Sequence, residues 1–180
     1  MFGFWTVRLS LELIINATDD EIARFLKQNH VDVSAIPQLK IFSRQTDVSP
    51  FYNNASLVLS LTNPDLAIET FGLTAVEAMT AGLPVIVPTV GGIADIVVDG
   101  YNGYKLDVRN LSAIGDKIRE IFADRELYMR LSAGALENRE NFIRRSFQQP
   151  SVICSMLFHH NNDKCSYHRF ARSPGILRGI

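Results

Sequence analysis

Two acids, Glu69 and Glu77, stand eight residues apart around a Phe71-Gly72 step that opens a helical pattern. A helix beginning near Gly72 presents N–H groups with no intrahelical acceptor and the positive end of its dipole, and glycine lets an anion approach the backbone closely. Glu77 lies about 7.5 Å further along such a helix at 1.5 Å per residue. Its carboxylate could accept from a vicinal diol while the helix start holds a phosphate. Glu69, ahead of the helix, points toward the sugar end of the same ligand. Gly91-Gly92 opens the next helical turn and admits two readings, close backbone approach to the ligand or a tight turn alone. The chemistry is recognition of an anion joined to a polyol, as in a nucleotide diphosphate sugar.

The elements that must position these residues follow from periodicity. Leu9, Leu11, Leu13 and Ile15 alternate in a strand pattern over 8–16, and 38–43 reads as a second strand. Thr18 to Glu21 has capping-box spacing, with Ile22, Phe25 and Leu26 as the apolar stripe of a short helix. Residues 56–61 read as a third strand buried on both faces, and Val85-Ile86-Val87 as a short buried one. Between them 72–81 forms a helix, ended by Gly82 at the C′ position and Pro84 beyond it. Residues 92–98 supply one or two helical turns, and Asp99 to Gly103 has plain turn chemistry. Two amphipathic helices follow over 110–122 and 125–138, the first turning Leu111, Ile114, Ile118, Ile121 and Phe122 inward. Strands alternating with helices predict one α/β Rossmann-like domain with a mainly parallel sheet, its sites beyond the carboxyl ends of the strands.

Composition bounds the rest. A chain of 180 residues, 47% hydrophobic and 21% charged, suits one globular domain. A net charge of −1 gives no electrostatic case for nucleic acid. No apolar run reaches the roughly 18 residues of a membrane span, and no secretory leader is evident. Two cysteines and no export signal point to the cytoplasm. The division expected is 1–145 as the nucleotide-sugar-binding domain and 146–180 as a divergent, irregular tail. That tail carries +3, both cysteines and three of the four histidines. Cys154, His159, Cys165 and His168 match no standard zinc spacing. Its positive charge makes peripheral contact with anionic lipid at the cytoplasmic face a further expectation, though without helical amphipathicity. Phe2, Phe4 and Trp5 belong to a core or an interface.

In order, Glu69-x7-Glu77, Glu77-Ala-Met79, Ala81-Gly-Leu-Pro-Val-Ile86, Gly91-Gly92 and Asp99-Gly100 resemble the carboxy-terminal domain of retaining GT-B glycosyltransferases of the GT4 type. Weaker similarity extends from about Arg8 to Phe142. The resemblance implies a donor-binding half that faces an acceptor domain across a cleft. It implies that Glu77 binds the ribose, that Phe71, Gly72 and Leu73 meet the sugar-phosphate through backbone groups, and that Glu69 contacts the transferred sugar as the catalytic residue. It implies no metal and no cofactor, the donor being a substrate, and transfer of a hexose to a glycan or lipid-linked acceptor with retention. Nothing here resembles the family's acceptor domain or the basic pair that neutralises the diphosphate. Where the family often has Gly-Gly-x-x-Glu, this chain has Asp95. The expectation is therefore a truncated piece with an unrelated tail, whose cleft a separately encoded amino-terminal domain would complete. The alternatives are a non-catalytic remnant or donor-binding module, and a nucleotide-sugar epimerase of the same architecture.

Overall fold

A computed structural model of the chain describes residues 9–148, with side chains through residue 138. The tail beyond 148 with its cysteines and histidines, and the aromatic residues 2, 4 and 5, lie outside the described residues. The chain divides after Leu136. The first unit holds every described strand; of the second, residues 137–148 continue the last helix.

The chain opens with β1 (Leu11–Ile14), α1 (Asp19–Gln28) and β2 (Leu39–Phe42). Thr18 caps α1 as expected: its hydroxyl accepts from the Glu21 N–H, and its own N–H donates to Glu21 Oε2 at 2.8 Å. Of the expected stripe, Ile22 and Leu26 are half-buried, but Phe25 is 61% exposed. β1 and β2 pair in parallel from Leu11 opposite Leu39 to Ile14 opposite Phe42.

A short helix that the apolar pattern did not reveal, α2 (Ser49–Asn54), leads to β3 (Val58–Leu59). Its start is set by Asp47 Oδ1, which accepts from the Ser49 N–H, and by Pro50 in the first turn, where a missing N–H costs nothing. β3 is shorter than the six residues expected and only half-buried, because among the described residues it is one of the two edge strands of its sheet rather than the central one.

The remaining elements are α3 (Leu73–Thr80), β4 (Val85–Val87), α4 (Gly92–Ile96), β5 (Gly103–Lys105), α5 (Leu111–Ala123) and α6 (Arg125–Gln148). Among the described residues pairing is parallel throughout, as expected, but the strands form two sheets rather than one, β1-β2 and β3-β4-β5. α6 runs ten residues past the end that its apolar period suggests.

β4 organises the core. Its side chains alternate, so Val85 and Val87 join Ala75, Ala78, Met79, Leu83, Ile93 and Val97 of the α3–α4 side. Ile86 joins Ile121, Leu127 and Leu131 of α5 and α6. All three strand residues are 1% exposed or less. On α5, Ile114 and Ile121 face inward as expected and Ile118 and Phe122 are half-buried, whereas Leu111 is 71% exposed. Leu111 opens the helix directly after its Asn110 cap, where the chain is still arriving from the surface.

Asn102 corrects the expectation of a plain turn at 99–103. It is fully buried: Oδ1 accepts from the Val98 N–H at 2.8 Å and Nδ2 donates to the Ile96 carbonyl at 3.0 Å. One amide thus satisfies the backbone that leaves α4 and fixes the entry to β5.

Candidate functional site

The carboxyl ends of β3 and β4 carry the loop 60–72 and the turn 88–91. In parallel α/β sheets this edge is where ligands bind. The first loop is shaped near its middle by Asn63, whose Oδ1 accepts from the Asp65 N–H. It is pinned there by Arg109, whose guanidinium donates to Asp65 Oδ2 at 3.0 Å and to both oxygens of Asp107 beyond β5. Arg109 is therefore a cation already committed to two carboxylates, which hold its pKa above the ordinary arginine value.

At its end the loop turns into α3. Gly72 is the N-cap residue in the left-handed region (φ 62°), and a Cβ there would sit 2.8 Å from the Ile93 Cα. Both facts require glycine. Having no side chain to cap with, it leaves that task to Glu69. Glu69 Oε1 accepts from the N–H groups of Phe71 (3.3 Å) and Gly72 (3.2 Å). These are two of the three backbone donors expected to meet phosphate. The carboxylate occupies an anion position at the positive end of the helix, which shows what charge this turn accepts. The N–H groups of Leu73 and Thr74 have no acceptor among the described residues, and both residues are exposed.

Gly91 and Gly92 lie directly against this loop. A Cβ on Gly91 would be 2.5 Å from the Glu69 carbonyl oxygen, and one on Gly92 would be 1.9 Å from that of Thr70. Gly91 also adopts φ 94°. The Ile93 N–H donates to the Glu69 carbonyl at 3.5 Å. Of the two readings of this pair, the structure shows a third use: the glycines close the α4 turn onto the backbone of the Glu69 loop. Glu69, Phe71, Gly72, Gly91 and Gly92 thus form one cluster.

Glu77 belongs to the same helix but has a different partner. Its Oε2 accepts from the Tyr52 hydroxyl at 2.9 Å, both side chains being half-buried. Tyr52 comes from α2, so sequence reasoning that missed the helix missed this residue as well. The Asp47-x-Ser49-Pro50 start was the signal that could have found both. Asp95, in the family's glutamate position, is exposed on α4.

Parallel strands alternating with helices, with acids and glycine turns beyond their carboxyl ends, make this a Rossmann-like domain of the kind that forms the carboxy-terminal half of GT-B glycosyltransferases. The chain belongs to the glycosyl transferases group 1 family, whose model matches residues 22–138. The carboxy-terminal domain of a group 1 glycosyl transferase (LpcC) from Francisella tularensis has the same fold. Its TM-score is 0.59 at 23% identity, over 73% of this chain and 68% of that one. Anabaena HepE, solved in complex with UDP, gives 0.61 at 19% identity, over 78% of this chain and 41% of that one. Among curated relatives, an uncharacterized glycosyltransferase of Methanocaldococcus jannaschii is 30% identical over 117 residues, 64% of this chain and 32% of its own. N-acetyl-alpha-D-glucosaminyl L-malate synthase of Bacillus anthracis is 27% identical over 117 residues, 65% of this chain and 29% of its own. The chain spans about a third of the length of these curated relatives.

Proposed function

We propose that this chain is the donor-binding half of a GT4-type hexosyltransferase, which takes the sugar from a nucleotide diphosphate sugar and transfers it with retention to a glycan or lipid-linked acceptor. The observation that carries the reading is the start of α3. A helix N-terminus already holds a carboxylate, two further N–H groups are open beside it, and a second acid stands one turn and a half along the same helix. Under this reading the diphosphate takes the open Leu73 and Thr74 donors, and Glu69 swings from its cap toward the transferred sugar as the phosphate replaces it. Glu77 accepts from the ribose hydroxyls. Front-face attack by the acceptor is proposed, without a metal or other cofactor, and the acceptor site is assigned to an amino-terminal domain facing this half across the cleft. No described helix is long and apolar enough to cross a membrane; the reading places the protein in the cytoplasm, with peripheral contact at the cytoplasmic face of a membrane.

A second reading has its own observation. Glu69 occupies the Phe71 and Gly72 N–H groups, two of the three backbone donors expected to meet the sugar-phosphate, so a chain in which that carboxylate never leaves them is a remnant that does not bind donor. Ligand-observed NMR of the 180-residue chain against UDP, GDP and their hexose conjugates separates the two. Saturable binding, weakened at least about tenfold by Glu77→Ala, is expected if the acid makes a charge-assisted hydrogen bond to ribose. A folded chain that binds none of these ligands would leave the remnant reading standing.

A further inference from the structure

Glu77 is held by an element that the donor-site reading does not include. Its carboxylate ends a flexible side chain, and a flexible acceptor recognises a diol poorly because its rotamers must be frozen on binding. Tyr52 removes that freedom. Tyr52 packs against the core cluster that includes Ala75, Met79 and Val85, and its hydroxyl donates to Glu77 Oε2 at 2.9 Å. A tyrosine has only two side-chain torsions, and here the ring is seated, so the hydroxyl is a fixed point rather than a tether.

We propose that Tyr52 is a positioning residue that aims the Glu77 carboxylate at the two ribose hydroxyls of the donor. The inference rests on the donor-site reading and adds a residue to it. The residue type fits the task. A phenol is neutral, so it orients the acid without competing as a counter-ion, as a lysine would. A carboxylate has about four lone-pair positions, more than a single phenol bond uses. Replacement by phenylalanine keeps the ring in the core and removes the hydroxyl that bonds Glu77.

The test compares ribo- and 2′-deoxyribonucleoside diphosphates, UDP against 2′-deoxy-UDP and GDP against 2′-deoxy-GDP, by calorimetric titration. The proteins are the wild-type chain, Tyr52→Phe, Glu77→Gln and the double variant. The wild-type chain should prefer the ribo form of its nucleotide by about tenfold, the size of one good hydrogen bond to a charged group. Tyr52→Phe should bind the ribonucleotide about five- to tenfold more weakly, bind the deoxy form almost unchanged, and so lose the preference. In the Glu77→Gln background it should have no further effect, since the two residues act as one unit. A Tyr52→Phe chain that keeps the full preference while melting at a lower temperature would overturn the proposal, the bond being then only a tie between α2 and α3. Additive effects in the double variant would overturn it as well. A folded wild-type chain that binds neither ribonucleotide removes the donor-site reading itself, and this inference with it.

Discussion

At the scale of single residues the site is built from conflicts between neighbours rather than from free groups. Glu69 caps the helix that is read as its ligand's anchor, and its backbone carbonyl receives the Ile93 N–H. The contact is possible only because residue 92 has no side chain, since a Cβ there would lie 1.9 Å from the Thr70 carbonyl oxygen. Gly92→Ala must push the two loops apart and is expected to cost about 1–3 kcal/mol, the range for overpacking. Gly115→Ala is the matched control. It lies inside α5, its Cβ would meet nothing nearer than the end of the Arg119 side chain at 3.7 Å, and alanine is the better helix former by about 0.5–1 kcal/mol. Urea unfolding should place the two variants on opposite sides of the parent. Equal midpoints would mean that the loop contact is loose.

Elements are tied to one another by buried backbone accounts. α4 is only five residues long and ends on a chain that must turn at once into β5. Asn102 closes that account with its own amide, satisfying the Val98 N–H and the Ile96 carbonyl from a fully buried position. Asn102→Ala leaves both groups without this partner and is expected to destabilise by about 1–3 kcal/mol, the cost of losing two part-buried hydrogen bonds. A denaturant midpoint within error of the parent would show that water replaces the amide. Because Ile93 and Gly72 pack together, slackening α4 should also loosen the start of α3. Hydrogen exchange at the Ala75 and Val76 amides, which both donate to the Gly72 carbonyl, would report it.

For the molecule as a whole, the charged groups set an acid limit. Hydrogen bonds from Thr18 hold Glu21 below the ordinary carboxylate value, those from Ser34 do the same for Asp32, and those from Arg109 for Asp107. Each folded pKa lies below its unfolded counterpart of 4.5 or 3.8, so the folded state binds fewer protons than the unfolded chain across that interval. Their stabilisation is complete above those unfolded values and is lost as pH falls through the lower folded ones. Thermal melts between pH 7 and 3 should therefore show little change down to about pH 5 and a steady fall below about 4. A melting temperature still level at pH 3 would show these bonds to be spent on the surface, as exposed pairs often are.

Much was legible locally. Capping at Thr18, the Gly82 stop before Pro84, the buried Val85-Ile86-Val87 strand and the parallel α/β class all follow from neighbours within a few residues, where side-chain type acts directly on the backbone. Spacing alone also placed Glu69, Gly72, Gly91 and Gly92 on one loop and two helix starts. The tertiary structure decided what depends on contact across the chain. It divided the strands into two sheets, left Leu111 outside and put Asn102 inside. It closed Gly91 and Gly92 on the Glu69 loop, and it joined Tyr52 to a glutamate twenty-five residues away. Periodicity describes which face of an element is apolar; it carries no information about which polar group, from which other element, arrives at its end.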